Sequence, residues 1–332
     1  MPLSYTWDFV LQRSKPHMEQ NTLKWLLEGD VSIQYQVYRD LLGTNRPDLQ
    51  ARIAQEGWGA RFLAARREDG HWGRGFYQPK WISTHYTLLD LRYLDIDPAH
   101  PAIGETLKLV IPRQKGKDGG IHVHRGHDNS DVCINGMFLN YACYFGADPQ
   151  DLVSIVDFVI GQKMPDGGFN CRKNRSGAVH SSLHSTISML EGFLAYERLG
   201  YTYQLDELRA IAADSREFIL QHKLFRSDRT GEIIDKRMLM LSYPSRWKYD
   251  ILRALTYFQD AGVPYDPRMQ DALDVLLQKR RKDGTWPVQA KHAGQVHFDM
   301  EATGKPSRWN TLRALRVLNH FGVLYSQGGS MR

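Results

Sequence analysis

The sequence predicts an all-α protein folded as an (α/α)6 toroid, a ring of six helical hairpins around a central cavity. Three observations favour this fold class. Asp-Gly turns recur about every 50 residues, which is typical of a repeat architecture. Strongly apolar helices alternate with helices that carry a charged face. Neither end supplies the polar capping element that an open solenoid needs, so we expect the ring to close on itself.

The repeats are marked by turns of one type. Each has an Asp-Gly pair followed two residues later by a large apolar residue. The four clear copies are Asp69-Gly70-His71-Trp72, Asp118-Gly119-Gly120-Ile121, Asp166-Gly167-Gly168-Phe169 and Asp283-Gly284-Thr285-Trp286. A weaker copy covers residues 228–233. Because glycine tolerates the left-handed conformation, these are places where the chain can reverse between two helices.

Each repeat is predicted to contain an outer helix, a turn and an inner helix. The six pairs, outer helix first, are 18–28 with 31–42, 47–67 with 83–94, 100–114 with 131–145, 149–163 with 182–199, 205–223 with 245–261, and 268–282 with 307–321. Inner helices are apolar almost all round, as at Ile187, Met189 and Leu190, and are expected to line the ring.

Length and composition favour one domain. The chain has 332 residues and no Pro/Ser-rich linker, so we expect a single toroid over residues 1–332, with an arm at 1–17 and a flexible tail at 323–332. No apolar run reaches about 18 residues, and the N-terminus lacks a signal-peptide pattern. We therefore expect a soluble, cytoplasmic protein without a transmembrane segment.

Charge and cysteine content limit which functions we expect. The net charge is +6, but no helix-turn-helix, RNA-recognition or zinc-finger pattern accompanies it, so we do not expect nucleic-acid binding. Three cysteines do not make a disulfide framework. Cys143 and Cys171 are interpreted as ordinary small residues, whereas a reducing compartment would leave Cys133 free to act as a thiolate ligand.

A zinc site is predicted from three residues at matching repeat positions. Asp131 and Cys133 stand at the start of one inner helix, and His184 stands at the start of the next. Zinc accepts carboxylate, thiolate and imidazole ligands, and a catalytic site keeps its fourth position open. Taken singly, Asp131 could be a helix cap, Cys133 a small buried residue and His184 a hydrogen-bonded core histidine.

The repeats and their Asp-Gly-Gly-Phe turn resemble the prenyltransferase and squalene-cyclase toroids over residues 69–321. Within that group Asp131, Cys133 and His184 resemble the zinc ligands of protein prenyltransferase β subunits. The resemblance implies a zinc-bound thiolate that attacks C1 of a prenyl diphosphate, with the isoprenoid in an aromatic cavity. The candidate substrate-binding residues in that cavity are Trp81, Tyr86, Tyr141, Trp247 and Trp309.

The diphosphate site matches the family only in part. Arg125 matches the family's diphosphate-binding arginine, but Asp128 replaces the expected lysine and Ile134 the expected tyrosine. Lys80 or Trp81 falls where the family has a histidine. The Asp-x-Asp-Asp acid of squalene-type cyclisation is missing, so protonation of an alkene is not predicted. Whether a partner subunit is needed stays open.

Three functions remain open at this stage. The leading one is a zinc-dependent, prenyltransferase-like enzyme for an isoprenoid or other apolar substrate. The second is a metal-dependent hydrolase or lyase, in which His124 or His127 moves a proton for zinc-bound water. The third is a lipid-binding toroid without chemistry.

Two further sets of residues keep two interpretations each. The sequences Ser245-Arg246-Trp247 and Ser307-Arg308-Trp309 are either anion-binding groups at the cavity mouth or helix caps with core tryptophans. Glu191 and Asp250 are either acid/base groups or partners of Arg198 and Arg253.

Overall fold

The structure is a computed structural model that describes residues 20–123 and 129–323. Its helices, in chain order, are α1 (Gln20–Leu27), α2 (Val31–Gln36, continued by a π-helical turn at Val37–Leu41), α3 (Pro47–Arg52), α4 (Gly57–Ala64), α5 (Thr84–Tyr93), α6 (Pro101–Gln114), α7 (Val132–Tyr144), α8 (Pro149–Gly161), α9 (Lys173–Ser176), α10 (Leu183–Arg198), α11 (Leu205–Gln221), α12 (Ile251–Asp260), α13 (Gln270–Gln278) and α14 (Arg308–His320). Two-residue strands β1 (Trp286–Pro287) and β2 (Pro306–Ser307) pair antiparallel just before α14.

Six inner helices form a closed ring. Along the chain, α5 packs on α7, α7 on α10, α10 on α12, and α12 on α14, which returns to α2. The ring closes between α2 and α5 through Gln36, whose Nε2 donates to the carbonyl oxygen of Tyr93 at 2.9 Å. Arg316 of α14 pairs with Asp40 beside α2 at 3.2 Å. The predicted all-α (α/α)6 toroid is confirmed.

The Asp-Gly turns hold each inner helix in the same way. Their second residues, Gly70, Gly119, Gly167 and Gly284, all have φ between 80° and 93°, a conformation that favours glycine. The buried residue after each turn then donates its backbone N–H to a side chain in the first turn of the inner helix. These donor–acceptor pairs are Trp72 with Thr84, Ile121 with Asn135, Phe169 with Thr186, and Trp286 with Thr311.

This repeated hydrogen bond fixes which residues are equivalent around the ring. Cys133 stands two residues before Asn135, and His184 stands two residues before Thr186. Trp309 stands at the same distance before Thr311. Cys133 and His184 therefore occupy matching positions at the amino ends of neighbouring helices.

Helices α7 and α10 cross with almost no space between their backbones. A Cβ built on Gly136 would lie 2.4 Å from the carbonyl oxygen of Ser188, and one on Gly192 would lie 2.4 Å from the carbonyl oxygen of Gly136. Two glycines therefore set how closely these helices approach.

Two helices differ most from the prediction. The outer helix expected over 47–67 is split into α3 and α4, because Gly57 has φ +64° between them. The inner helix expected from Ser245 begins only at Ile251, since Arg246 has φ +58° and the Asp250 side chain caps the helix through the N–H of Arg253. Residues 245–247 are consequently loop.

The second Ser-Arg-Trp sequence is different. Ser307 accepts the backbone N–H of Asn310 at 2.8 Å and caps α14, so the cap interpretation is confirmed there, and the two Ser-Arg-Trp sequences are not structurally equivalent. Within the described ranges, no helix is long and apolar enough to cross a membrane. The predicted arm at 1–17 and residues 324–332 of the predicted tail lie outside the described residues.

Candidate functional site at the amino-terminal rim

Two thiols meet at the amino end of α7. The backbone N–H of Cys133 donates to the sulfur of Cys171 at 2.9 Å, and Cys133 is the second residue of that helix. The first N–H groups of a helix have no partner inside the helix and carry its partial positive charge. Cys171 therefore lies where an anionic sulfur is stabilised.

The loop before α10 is what carries Cys171 to this place. Its backbone N–H donates to the Ser185 hydroxyl at 3.0 Å, and Ser185 belongs to the first turn of α10. Asn174 reaches back from the same loop to the carbonyl oxygen of Ser130 at 3.2 Å. The loop thus spans the gap between the amino ends of α7 and α10.

The two thiols differ in acidity. The side-chain hydrogen bond from Cys133, followed by donors that include Ser185, lowers the pKa of Cys171 below the ordinary value for a thiol. The same hydrogen bond, together with burial, raises the pKa of Cys133 well above its ordinary value. When one of the pair ionises, the thiolate forms on Cys171, and Cys133 keeps its proton and donates it.

Charged groups surround the pair. Asp131 forms an ion pair with Arg175 of α9, and the Asp131 side chain is only 4% exposed. Asp131 stands at the N-cap position of α7, but its carboxylate makes no capping hydrogen bond there. Lys80 contributes a second positive charge, and burial lowers the pKa of its ammonium group.

The neutral His184 ring has no free nitrogen lone pair with which to bind a metal. Its Nδ1 accepts the backbone N–H of Tyr249 at 2.8 Å, and its ring packs edge-on against Trp247 with 5.3 Å between centroids. An amide N–H donates only to a nitrogen lone pair, so neutral His184 carries its proton on Nε2 and presents a donor there. Burial lowers its pKa to about 4, which keeps the ring neutral.

The predicted zinc ligands therefore do not fit zinc as they are placed. Asp131 is engaged by Arg175, the Cys133 thiol by Cys171, and the lone pair of His184 by a backbone amide. Among the described residues, no group of three His, Cys, Asp or Glu side chains could hold a metal ion. Zinc stays a prediction of the sequence.

The candidate aromatic residues fall into separate places. Tyr86 and Tyr141 have no exposed surface, and Tyr141 hydrogen-bonds the His85 ring at 3.1 Å. Trp81 is 5% exposed and donates its indole N–H to the carbonyl oxygen of Ala293 at 2.6 Å. These three aromatic residues are therefore part of the buried core. Trp247 is half-buried, and the Lys80 ammonium lies 5.3 Å from its ring centre.

Trp309 lines the central cavity, and neither thiol does. This cavity has a volume of about 690 Å³, and Tyr243 packs on Trp309 in its wall. Six arginines and four carboxylates also line it. Because desolvating charged groups against a hydrocarbon tail is unfavourable, this composition does not favour the predicted isoprenoid as its occupant.

Some predicted residues gain a definite role and others lie outside the described residues. Glu191 forms a two-point ion pair with Arg253, at 2.8 and 2.6 Å, and Asp250 caps α12, so both have structural partners. His124, Arg125, His127 and Asp128 lie outside the described residues. Sequence reasoning missed Cys171, although its position just after the turn residue Phe169 offered a signal, since each such turn leads to an inner-helix start.

Comparisons with known proteins give only distant likenesses. No protein family matches the chain, and no curated protein matches it. A family 88 glycosyl hydrolase from Bacteroides vulgatus superposes with a TM-score of 0.48 at 12% identity, covering 90% of each chain. A polysaccharide lyase gives 0.49 at 12% identity, covering 90% of this chain and 88% of that chain.

A type II terpene cyclase from Scytonema, solved with geranylgeranyl dihydroxybenzoate, gives a TM-score of 0.44 at 12% identity, covering 90% of this chain and 95% of that chain. None of these three structures is a protein prenyltransferase. At TM-scores below 0.5, the activities of these proteins carry no argument for this chain.

Proposed function

We propose that this chain is a thiol-dependent group-transfer enzyme, with Cys171 as the nucleophile and Cys133 as the residue that positions and activates it. The observation that supports this most strongly is the 2.9 Å hydrogen bond from the Cys133 N–H to the Cys171 sulfur at the first turn of α7. Thiolates are the reactive form of cysteine, and helix amino ends and nearby cations favour them.

The chemistry follows from the surroundings of the sulfur. The Cys171 thiolate attacks an electrophilic carbon, a carbon–sulfur bond forms, and the leaving group departs with its electron pair. An acceptor then attacks the same carbon, and the electron pair of the broken carbon–sulfur bond returns to Cys171. Throughout, the Cys133 N–H stays aimed at the sulfur and stabilises its anionic form at the start and end of the cycle.

The neighbouring side chains indicate which substrate features fit. Lys80 is placed to meet an anionic leaving group near the thiols, since its charge acts on Cys133 and Asp131. The half-buried Trp247 ring lies against both Lys80 and His184 and offers a flat apolar surface. His184 presents an Nε2–H donor. A substrate with an apolar part and an anionic leaving group matches this set.

This proposal keeps the transferase class of the leading sequence prediction and places the attacking thiolate on the chain itself. Zinc remains a prediction from Asp131, Cys133 and His184 at matching repeat positions, and an isoprenoid donor remains a prediction from the resemblance. The hydrolase or lyase alternative assigned the proton transfer to His124 and His127, which lie outside the described residues. No observation favours that alternative.

The test is covalent labelling of the full-length protein. Wild type is incubated at pH 7 with limiting iodoacetamide, and the modified cysteine is identified by peptide mass spectrometry. Cys143, which is 2% exposed, is the internal control. We expect Cys171 to be alkylated first. Equal or faster alkylation of Cys133, or a Cys171 no faster than Cys143, would refute the assignment.

A second experiment asks which group is transferred. Intact-mass spectrometry follows wild type, Cys171→Ser and Cys133→Ser after incubation with farnesyl diphosphate and, separately, with an acyl thioester. An adduct on wild type that is lost in Cys171→Ser identifies the donor class. An adduct that persists in Cys171→Ser and disappears in Cys133→Ser would reverse the two roles.

A further inference from the structure

The central cavity extends from Trp309, in the first turn of α14, to Asn140 and Tyr144 in the later part of α7. Neither thiol lines it, and Cys133 is at the start of α7. At 1.5 Å per residue, Cys133 and Tyr144 are about 16 Å apart along the axis. The cavity is therefore a second site, separate from the proposed active site.

Its charges are unequal. The arginines that line it are Arg39, Arg92, Arg198, Arg253, Arg313 and Arg316. The carboxylates that line it are Asp40, Asp95, Glu191 and Asp260. Two positive charges are therefore in excess among the described lining residues, and the field in a partly enclosed cavity of this kind favours an anion.

Each of the four carboxylates forms an ion pair with at least one of four arginines. Arg39 pairs with Asp40 and Asp95, and Arg92 also pairs with Asp95. Arg316 pairs with Asp40 and Asp260.

Arg253 is bound by Glu191. In the part of the chain that the structure describes, Arg198 and Arg313 form no ion pair, and they are the two arginines in excess.

Arg313 is the better placed of these two. Arg198 is exposed at the end of α10, where a cation serves to offset the negative end of the helix dipole. Arg313 is half-buried in the middle of α14, more than one turn from either end, so the helix dipole does not account for it. Its charge acts on the buried hydroxyls of Tyr93 and Tyr243.

Further polar groups in the same wall lack partners. The Nε of Arg92 and the Oε1 of Gln259 are buried without a hydrogen bond to any described group. Buried polar groups are normally hydrogen-bonded, so these two atoms are available to a polar ligand in the cavity. Tyr243 and Trp309, 4.9 Å apart between ring centres, add a flat apolar surface.

We propose that this cavity binds a small organic anion, whose carboxylate or phosphate group is held by Arg313 and whose body lies against Tyr243 and Trp309. An arginine fork matches both oxyanion types, and an aromatic wall suits a planar or ring-shaped body. The positive charge in excess among the described lining residues favours an anion over a neutral isoprenoid.

The experiment is isothermal titration calorimetry on the full-length protein at low salt. The ligands are phenyl phosphate and benzoate, with benzyl alcohol as the neutral control of the same ring. We expect at least one anion to bind saturably and benzyl alcohol not to bind. The stronger of the two anions identifies phosphate or carboxylate as the natural group. Saturable binding of neither anion would overturn the proposal.

Variants locate the bound anion. Arg313→Gln is expected to weaken binding at least about tenfold, because one charge-assisted contact is lost, and Arg313→Lys to weaken it less. Arg209→Gln removes an arginine of the outer helix α11 and is the matched control, expected to bind like wild type. Unchanged affinity in a folded Arg313→Gln protein would refute the site.

Two controls keep the result interpretable. If circular dichroism shows that Arg313→Gln is unfolded, the affinity of Arg313→Lys is used instead. It is combined with the loss of wild-type affinity that we expect between about 20 and 200 mM NaCl, because added salt screens charges. An affinity that is unchanged in both measurements counts against the proposal. Cys171→Ser should bind the anion normally, which separates this site from the proposed active site.

Discussion

The N–H of Cys133 and the sulfur of Cys171 are joined by a hydrogen bond of 2.9 Å that connects the first turn of α7 with the loop before α10. This contact places the Cys171 sulfur at a helix amino end. The side-chain hydrogen bond from Cys133 is the largest cause that lowers the pKa of Cys171, and the same bond raises the pKa of Cys133.

The close crossing of α7 and α10 predicts a strong effect of adding one methyl group. Gly192→Ala should lower the free energy of unfolding by about 1–3 kcal/mol, since the new Cβ meets a backbone carbonyl that cannot move aside. Gly104→Ala in α6, where a Cβ meets nothing within 4 Å, should be neutral or stabilise by up to about 1 kcal/mol. Urea denaturation measures both, and equal midpoints would contradict the crossing.

A buried ion pair between Asp90 of α5 and Arg246 ties the loop before α12 to the ring. The side chains are 4% and 6% exposed, so removing one partner leaves a buried charge. Arg246→Met should cost about 3–5 kcal/mol, and adding Asp90→Leu should restore part of it. Arg209→Gln, which removes two exposed ion pairs, should change stability by less than about 1 kcal/mol. Additive losses in the double variant would show that the two residues do not interact.

Four histidines predict loss of stability in mild acid. Burial, the largest cause in each case, lowers the pKa of His85 to about 3 and those of His184, His292 and His297 to about 4. The unfolded chain takes up these protons near pH 6.5, whereas the folded chain resists until about pH 4, and at His85 until about pH 3. Their contribution is complete above pH 6.5 and is lost as the pH falls through this window.

The measurement is the urea midpoint at pH 7.5 and at pH 5. We expect a lower midpoint at pH 5, and a smaller difference in His85→Gln than in wild type. His180→Gln, at an exposed position, is the control and should keep the wild-type difference. A midpoint that rises on acidification would contradict the burial of these rings.

Zinc content in two variants distinguishes the ligands predicted from the sequence from the pair of thiols that the structure brings together. The thiols of Cys133 and Cys171 lie together, whereas His184 presents a proton at Nε2. We therefore expect any zinc taken up by the protein to be lost in Cys171→Ala and kept in His184→Ala, measured by plasma mass spectrometry. Loss in His184→Ala with retention in Cys171→Ala would restore the ligand set predicted from the sequence.

The architecture could be predicted because every repeat carries the same local signals. An Asp-Gly turn, a buried residue after it and an apolar helix each act within a few residues, so their spacing determined six hairpins correctly. The start of α12 was missed because it depends on the left-handed backbone of Arg246 and on the Asp250 cap, which a Ser-Arg-Trp pattern does not encode.

The site was predicted less well, because equivalent repeat positions do not imply that side chains converge. Cys133 and His184 are equivalent, yet the Cys133 N–H and thiol contact Cys171, whereas His184 faces Trp247 and Tyr249. Cys171 comes from a loop whose course depends on contacts with Ser185 and Ser130. Such long-range contacts leave no periodic signal in the sequence.

The most direct test of Cys171 as the activated nucleophile is the pH dependence of its alkylation by iodoacetamide, followed by peptide mass spectrometry in wild type and in Cys133→Ala. We expect an apparent pKa for Cys171 below the value of about 8.5 for a free thiol, and a rise toward that value when the Cys133 S–H donor is removed. An apparent pKa at or above 8.5 in wild type, unchanged in Cys133→Ala, would contradict this expectation.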